Sequence, residues 1–213
     1  MKRVLLLIAS FIMCASAVNA DPEWGLTAGL NVSTWNGSDC DARAGFNIGV
    51  KMEDEVSAPF FIEAGALLSN KGCKWDYSLA GYDVLKENFS LWYLHVPVNF
   101  GYKFDLNENL QIAPKVGIYG AVGLWGDDGN DNDPFYDDLK VKETTISNDH
   151  FSNFDFGFNL GVNFYVQKHF EVSTGYDFGM VNVWDGIKED DVTYFKSDDS
   201  KNRNWYLNLA FLF

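Results

Sequence analysis

The sequence predicts an all-β fold: an eight-stranded antiparallel up-and-down transmembrane β-barrel. Three observations predict it. Large apolar residues alternate with small or polar ones, period 2, along most of the chain. The connections between these runs alternate long and short. Glycines and charges collect on one face of the runs, while aromatics mark their ends. The last run shows the logic best: Trp205, Leu207, Leu209, Phe211 and Phe213 share one face, opposite Tyr206, Asn208, Ala210 and Leu212. An uncovered apolar strand invites aggregation in water. In a closed barrel, lipid covers it and every backbone group pairs.

The N-terminus sets the compartment. Lys2 and Arg3 precede an apolar stretch from Val4 to Val18, and Val18-Asn19-Ala20 ends it like a cleavage site. Residues 1–20 are therefore expected to be a signal peptide and residues 21–213 the barrel domain. The stretch is too short for a comfortable membrane helix, and no later run reaches that length. The whole chain carries a net charge of −14. Residues 1–20 hold two basic residues and no acidic one, so the mature chain is near −16, which argues against a nucleic-acid partner. Cys40 and Cys73 remain after processing and are expected to pair in an oxidising compartment.

The first run, 24–33, sets Trp24, Leu26, Leu30 and Val32 against Gly25, Thr27, Gly29 and Asn31. A polar loop, 35–42, carries Cys40. The second run, 43–52, turns out Phe46, Ile48 and Val50 and turns in Arg43, Asn47 and Lys51; an acidic turn, 53–59, follows. The third, 60–69, leads into a longer loop, 70–88, holding Cys73. The fourth, 92–104, sets Trp92, Leu94, Val96, Val98 and Phe100 against Tyr93, His95 and Asn99. A tight turn joins it to the fifth, 110–124. Residues 125–153 form the longest and most acidic loop. The sixth and seventh runs, 154–165 and 170–179, are separated by a short turn, and a loop, 183–203, leads into the last strand. Long connections thus follow the first, third, fifth and seventh strands. That asymmetry predicts long loops outside the cell and termini in the periplasm.

A sandwich core would not sort residues in this way. Gly25, Gly49, Gly101, Gly117, Gly161 and Gly175 all fall on the polar face, which suits the narrow interior of a small barrel. Trp35, Trp92, Trp125, Trp184 and Trp205 mark the long-loop ends, and Trp24, Phe60, Phe104, Phe170 and Phe213 the short-turn ends. Arg43, Lys51, Glu63, Lys103, Lys115, Asp155, Glu171 and Asp177 are expected inside as lumen charges, with Glu63 pairing with one or more of Lys51, Lys103 and Lys115. A charge facing lipid at mid-membrane costs roughly 2–4 kcal/mol for Lys or Arg.

Several segments resemble the PorT-like outer-membrane β-barrel family common in Bacteroidetes. They are Leu68-Ser69-Asn70-Lys71-Gly72, Tyr93-Leu94-His95-Val96-Pro97-Val98-Asn99, Lys115-Val116-Gly117-Ile118-Tyr119 and Phe154-Asp155-Phe156-Gly157. The family often has an acidic residue where His95 stands. The resemblance implies a porin-family barrel in the outer membrane of a Gram-negative bacterium, and one branch of the family is tied to protein secretion. The strand Trp205, Leu207, Leu209, Phe211, Phe213 is likewise similar to the C-terminal signal read by the barrel-insertion machinery.

Eight strands leave an interior that side chains can fill, so a plugged lumen is expected. Asp127, Asp128, Asp131 and Asp133 make an oxygen-rich loop with part of a calcium ligand set, without the later glutamate of an EF-hand. No nucleophile–histidine–acid set is visible around His95, His150 or His169, so no enzyme activity is expected. The expected partners are outer-membrane lipid and lipopolysaccharide and an extracellular ligand of unknown identity. Two readings of function follow: a structural or surface-interaction barrel with acidic outer loops, and a porin-like narrow channel or secretion-associated barrel.

Overall fold

The computed structural model describes residues 22–36, 40–79, 82–127, 152, 154–167, 169–183, 187–189, 192–195 and 200–213; the side chains of residues 75–87, 127, 187–189 and 192–195 are outside that description. The expected signal peptide, 1–20, also lies outside it. The strands are β1 (Glu23–Trp35), β2 (Cys40–Ser57), β3 (Phe60–Leu79), β4 (Tyr82–Tyr102), β5 (Phe104–Asn107), β6 (Leu110–Asp127), β7 (Phe154–Val166), β8 (Phe170–Asn182), β9 (Ile187–Glu189), β10 (Val192–Phe195) and β11 (Lys201–Leu212). Neighbours pair in the order β4-β3-β2-β1-β11-β8-β7-β6-β5, and a further β4–β6 pairing closes the ring. β5 continues the line of β4 along β6, so the barrel has eight staves. Among the described residues no helix is long and apolar enough to cross a membrane.

The seam joins the two ends of the chain. β1 and β11 run antiparallel from Gly25↔Leu212 to Trp35↔Asn202, and Trp24 and Phe213 exchange backbone hydrogen bonds beyond them. The alternation has its expected cause: Leu26, Leu30, Leu160 and Leu209 are exposed on the outer wall, and Thr27, Asn31, Asn159 and Asn163 are buried inside. The inner glycines make room for rings on neighbouring strands. A Cβ on Gly175 would lie 2.7 Å from Tyr206 Cζ, and one on Gly157 2.8 Å from Tyr119 Cε1. The pairs Tyr206↔Gly175 and Tyr119↔Gly157 face each other in register.

Four expectations need correction. Residues 70–88 are not a loop: β3 and β4 pair continuously to Leu79↔Tyr82, with one irregularity at Tyr77/Ser78. β2 does not turn at 53; it continues to Ser57 and buries Glu53. Trp35 does not join the outer girdle but is buried inside, because it shares the face of Asn31 and Ser33. The 183–203 loop contains the small hairpin β9–β10. Beyond the membrane both faces of a strand meet polar surroundings, so the apolar alternation stops before the strand does.

Candidate functional site

The site is the lumen. At its short-turn end the inner faces of β2, β3, β6 and β8 bring Lys51, Glu63, Lys115 and Glu171 together. Lys51 Nζ donates to Glu63 Oε2 at 2.7 Å and to Glu171, and lies 3.6 Å from Glu53. Lys115 donates to Glu63 Oε1 at 2.6 Å. Asn99 and Asn163 each donate to Glu63 at 2.8 Å. Lys103 lies 2.7 Å from Glu53, whose other oxygen accepts from Tyr165 at 2.6 Å. Three lysines thus balance three buried glutamates. Such a cluster is tolerated in low dielectric only because each charge meets a partner.

At the long-loop end Lys71 donates to Asp177 at 3.1 Å and to His95 Nδ1 at 3.2 Å. Because ammonium can only donate, Nδ1 accepts, and the imidazole proton sits on Nε2, 3.8 Å from Asp177. Asn204 donates to Asp177 at 3.0 Å. Asp155 accepts from Tyr119 at 3.0 Å and from Asn202 at 2.9 Å. The Lys71 ammonium also lies 5.0 Å above the Tyr119 ring.

Apolar lids close both ends. Trp35, Cys73, Leu91, Tyr93, Tyr119, Ala121 and Val183 pack together at the long-loop end, with Cys40 and Phe89 against them. Phe61, Ala113, Tyr165 and Leu212 form the lid at the short-turn end. Between the two charge clusters is a cavity of about 50 Å³ with Asn47, Asn159, Ser173 and Asn208 in its wall. It has room for a few waters.

Of the expected lumen charges, Lys51, Glu63, Lys115, Asp155, Glu171 and Asp177 are buried inside, and Lys103 reaches in from the short-turn rim. Glu63 pairs with Lys51 and Lys115. Arg43 does not join them; its guanidinium bonds Asn70, Asn88 and Ser90 instead. The sequence reading missed Glu53 and Lys71, which it assigned to a turn and a loop. Parity held the signal: Glu63, Gly65, Leu67, Ser69, Lys71 and Cys73 are successive odd positions of β3, and Glu53 follows Lys51 in the same way.

Cys40 and Cys73 form a disulfide with Cα atoms 5.7 Å apart. In the last strand and the residue after it, Trp205, Leu207, Leu209, Phe211 and Phe213 are exposed on the outer wall. Asp127 ends β6, while Asp128, Asp131 and Asp133 lie outside the described residues, as does His150. Oxygens of Glu53, Glu63 and Glu171 lie within 4.8 Å of one another, a spacing that suits a metal. The Lys51 ammonium already bonds Glu63 and Glu171 and lies beside Glu53, so the triad holds a built-in cation. His95 bonds Lys71, and His169 Nδ1 meets the Leu212 carbonyl.

A model of the outer membrane protein beta-barrel domain family matches residues 4–213. The chain belongs to that family. This outer-membrane barrel also resembles solved structures at low identity. The attachment invasion locus protein Ail of Yersinia pestis is 14% identical, with 91% of this chain and 100% of that chain covered and a TM-score of 0.43. A major outer membrane protein of Thermus thermophilus is 16% identical, with 91% and 100% covered and a TM-score of 0.46. Neisserial surface protein A is 11% identical, with 90% and 95% covered and a TM-score of 0.46. A comparison with curated proteins returned no match. The family places the barrel in the outer membrane.

Proposed function

We propose that this outer-membrane barrel is a closed anchor that presents its long loops outside the cell and does not conduct. The carrying observation is the filled lumen: the Lys51–Glu63–Lys115 bridge joins β2, β3 and β6 across the interior. Tyr93 and Tyr119 at one end, and Phe61 and Tyr165 at the other, are buried to 2% or less. A diffusion pore needs a continuous wet path, and two apolar lids in series oppose one. The segments that carry the PorT-like resemblance supply Lys71, Tyr93, His95, Lys115, Tyr119 and Asp155 to this interior.

Planar-bilayer recordings of the refolded protein test the closed lumen. Silence is the expected result, and a steady unitary conductance overturns it. Protease treatment of intact cells tests the orientation. Cleavage within residues 128–150 is expected; cleavage that appears only after the outer membrane is permeabilised reverses the assignment.

A further inference from the structure

The pairing of β2 with β3 shifts between Ala42 and Asn47. Ala42 pairs with Cys73 and Asn47 with Ser69, so five steps along β2 oppose four along β3. One extra residue is a bulge, and it puts two successive residues on the same face. Ala42 stands opposite the lumen residue Cys73, and Asn47 opposite the buried Ser69. β1 pairs Arg43 with the buried Ser33 without a shift, so the register alone does not set the direction of the Arg43 side chain.

The contacts of Arg43 set that direction. Nε donates to Asn88 Oδ1 at 2.9 Å, Nη1 to Asn70 Oδ1 at 2.6 Å and Nη2 to Ser90 Oγ at 2.9 Å. Asn88 and Ser90 alternate with the interior residues Phe89 and Leu91, which puts them on the outer wall, and Asn70, which alternates with Ser69 and Lys71, is itself buried where it accepts from the guanidinium. Gly72 pairs with Ser90 in the middle of the group and has φ +155°. A Cβ there would run into the backbone carbonyl of Phe89, so glycine lets β3 and β4 approach closely at this point.

Among the described residues the charge is held by neutral groups alone. All three partners are neutral, and among the described residues Arg43 forms no ion pair. Among the described residues three of its five N–H groups are used, which leaves one on each terminal nitrogen for a partner. The place is specific too. Asn70 pairs with Trp92, whose ring stacks on Trp125 at 5.7 Å and meets Phe46 edge-on at 5.0 Å. Such an aromatic band sits at headgroup depth. Exposed Lys74, beside Asn88, is directly opposed by the exposed carboxylate of Asp41, so Arg43 is the cation this patch offers.

We infer that Arg43, framed by Asn70, Asn88 and Ser90, binds the phosphate of a lipid headgroup at the membrane interface. A planar guanidinium with parallel N–H groups to spare matches phosphate geometry, and the bilayer supplies phosphate at this depth. The inference rests on the barrel being embedded in the membrane and is independent of whether the lumen conducts.

Native mass spectrometry of the full-length refolded barrel tests it, with diphosphorylated lipid A as the probe. The wild type is expected to retain lipid A about tenfold better than its dephosphorylated form, and Arg43→Gln to lose that preference, on the strength of a charge-assisted bidentate contact. Millimolar inorganic phosphate should not displace the lipid. Equal retention of both lipid forms by the wild type overturns the inference, as does an unchanged preference in folded Arg43→Gln. Displacement by inorganic phosphate overturns it as well, in favour of a general anion site. Folding is read from heat-modifiable gel mobility. If Arg43→Gln fails to fold, the two-lipid comparison on the wild type decides alone. A variant that melts earlier but keeps its lipid preference marks Arg43 as a structural staple and ends the proposal. A conducting wild type that still prefers phosphorylated lipid removes only the closed-lumen reading.

Discussion

Glu63 is the residue on which the interior depends most. It accepts from Lys51, Lys115, Asn99 and Asn163, and among the described residues it is the ion-pair partner Lys115 has. Glu63→Ala leaves Lys115 charged and alone in low dielectric. Stranding one partner of a buried pair costs about 3–5 kcal/mol, so the urea midpoint of the refolded barrel should fall by that measure. Adding Lys115→Ala should recover part of the loss, because the stranded charge then goes too. A Glu63→Ala midpoint equal to wild type would mean that water hydrates the pair. Glu63 was legible in the sequence because it sits inside an alternating run. Lys71 was not, because polarity alone suggests a loop. A lysine in water and a lysine in a polar lumen look alike in sequence; only its odd position after Ser69 distinguishes them.

At the scale of elements, strand number, the closing β1–β11 seam and the inward glycines could be read from period 2, because lipid outside and a crowded interior impose opposite demands on alternate residues. The bulge in β2 could not. One extra residue shifts the register against β3 without changing composition, and alternation could not show that Arg43, opposite Ser33, sends its guanidinium to Asn70, Asn88 and Ser90. Just beyond this bulge the Cys40–Cys73 disulfide ties the two strands together. Ser33 Oγ donates to the Gly72 carbonyl at 2.9 Å and accepts from the Gly72 N–H at 2.9 Å, stitching β1 to β3 beside it. Cys40→Ser with Cys73→Ser should cost about 2–4 kcal/mol, the usual range for closing a loop of this size. Reductant should shift the wild-type unfolding midpoint onto that of the double variant, and a wild type indifferent to reductant counts against a stabilising bridge. The packing of rings over glycines makes a second element-scale prediction. Gly175→Val would drive a branched side chain into Tyr206, and overpacking of this kind costs about 1–3 kcal/mol. Replacing Tyr206 by Ala in the same chain should relieve part of it. An additive double variant would show that the ring does not fill that space.

Across the whole molecule, the two apolar lids act in series, with the charge clusters and the cavity between them. Resistances in series are set by the larger, so opening one lid should leave the barrel silent. Tyr93→Ala with Tyr119→Ala thins the long-loop lid, and Phe61→Ala with Tyr165→Ala thins the other. Each pair removes large buried rings, at about 3–5 kcal/mol for a fully buried Phe, so folding must be confirmed by gel mobility before recording. Neither pair alone is expected to conduct in a planar bilayer. The quadruple variant is expected to open, because water can then enter from both sides and hydrate the Lys51–Glu63–Lys115 bridge. A steady conductance from the long-loop pair alone would place the whole barrier at Tyr93 and Tyr119. A silent, folded quadruple variant would place it in the ion pairs, and Glu63 would then be the residue that keeps the barrel shut.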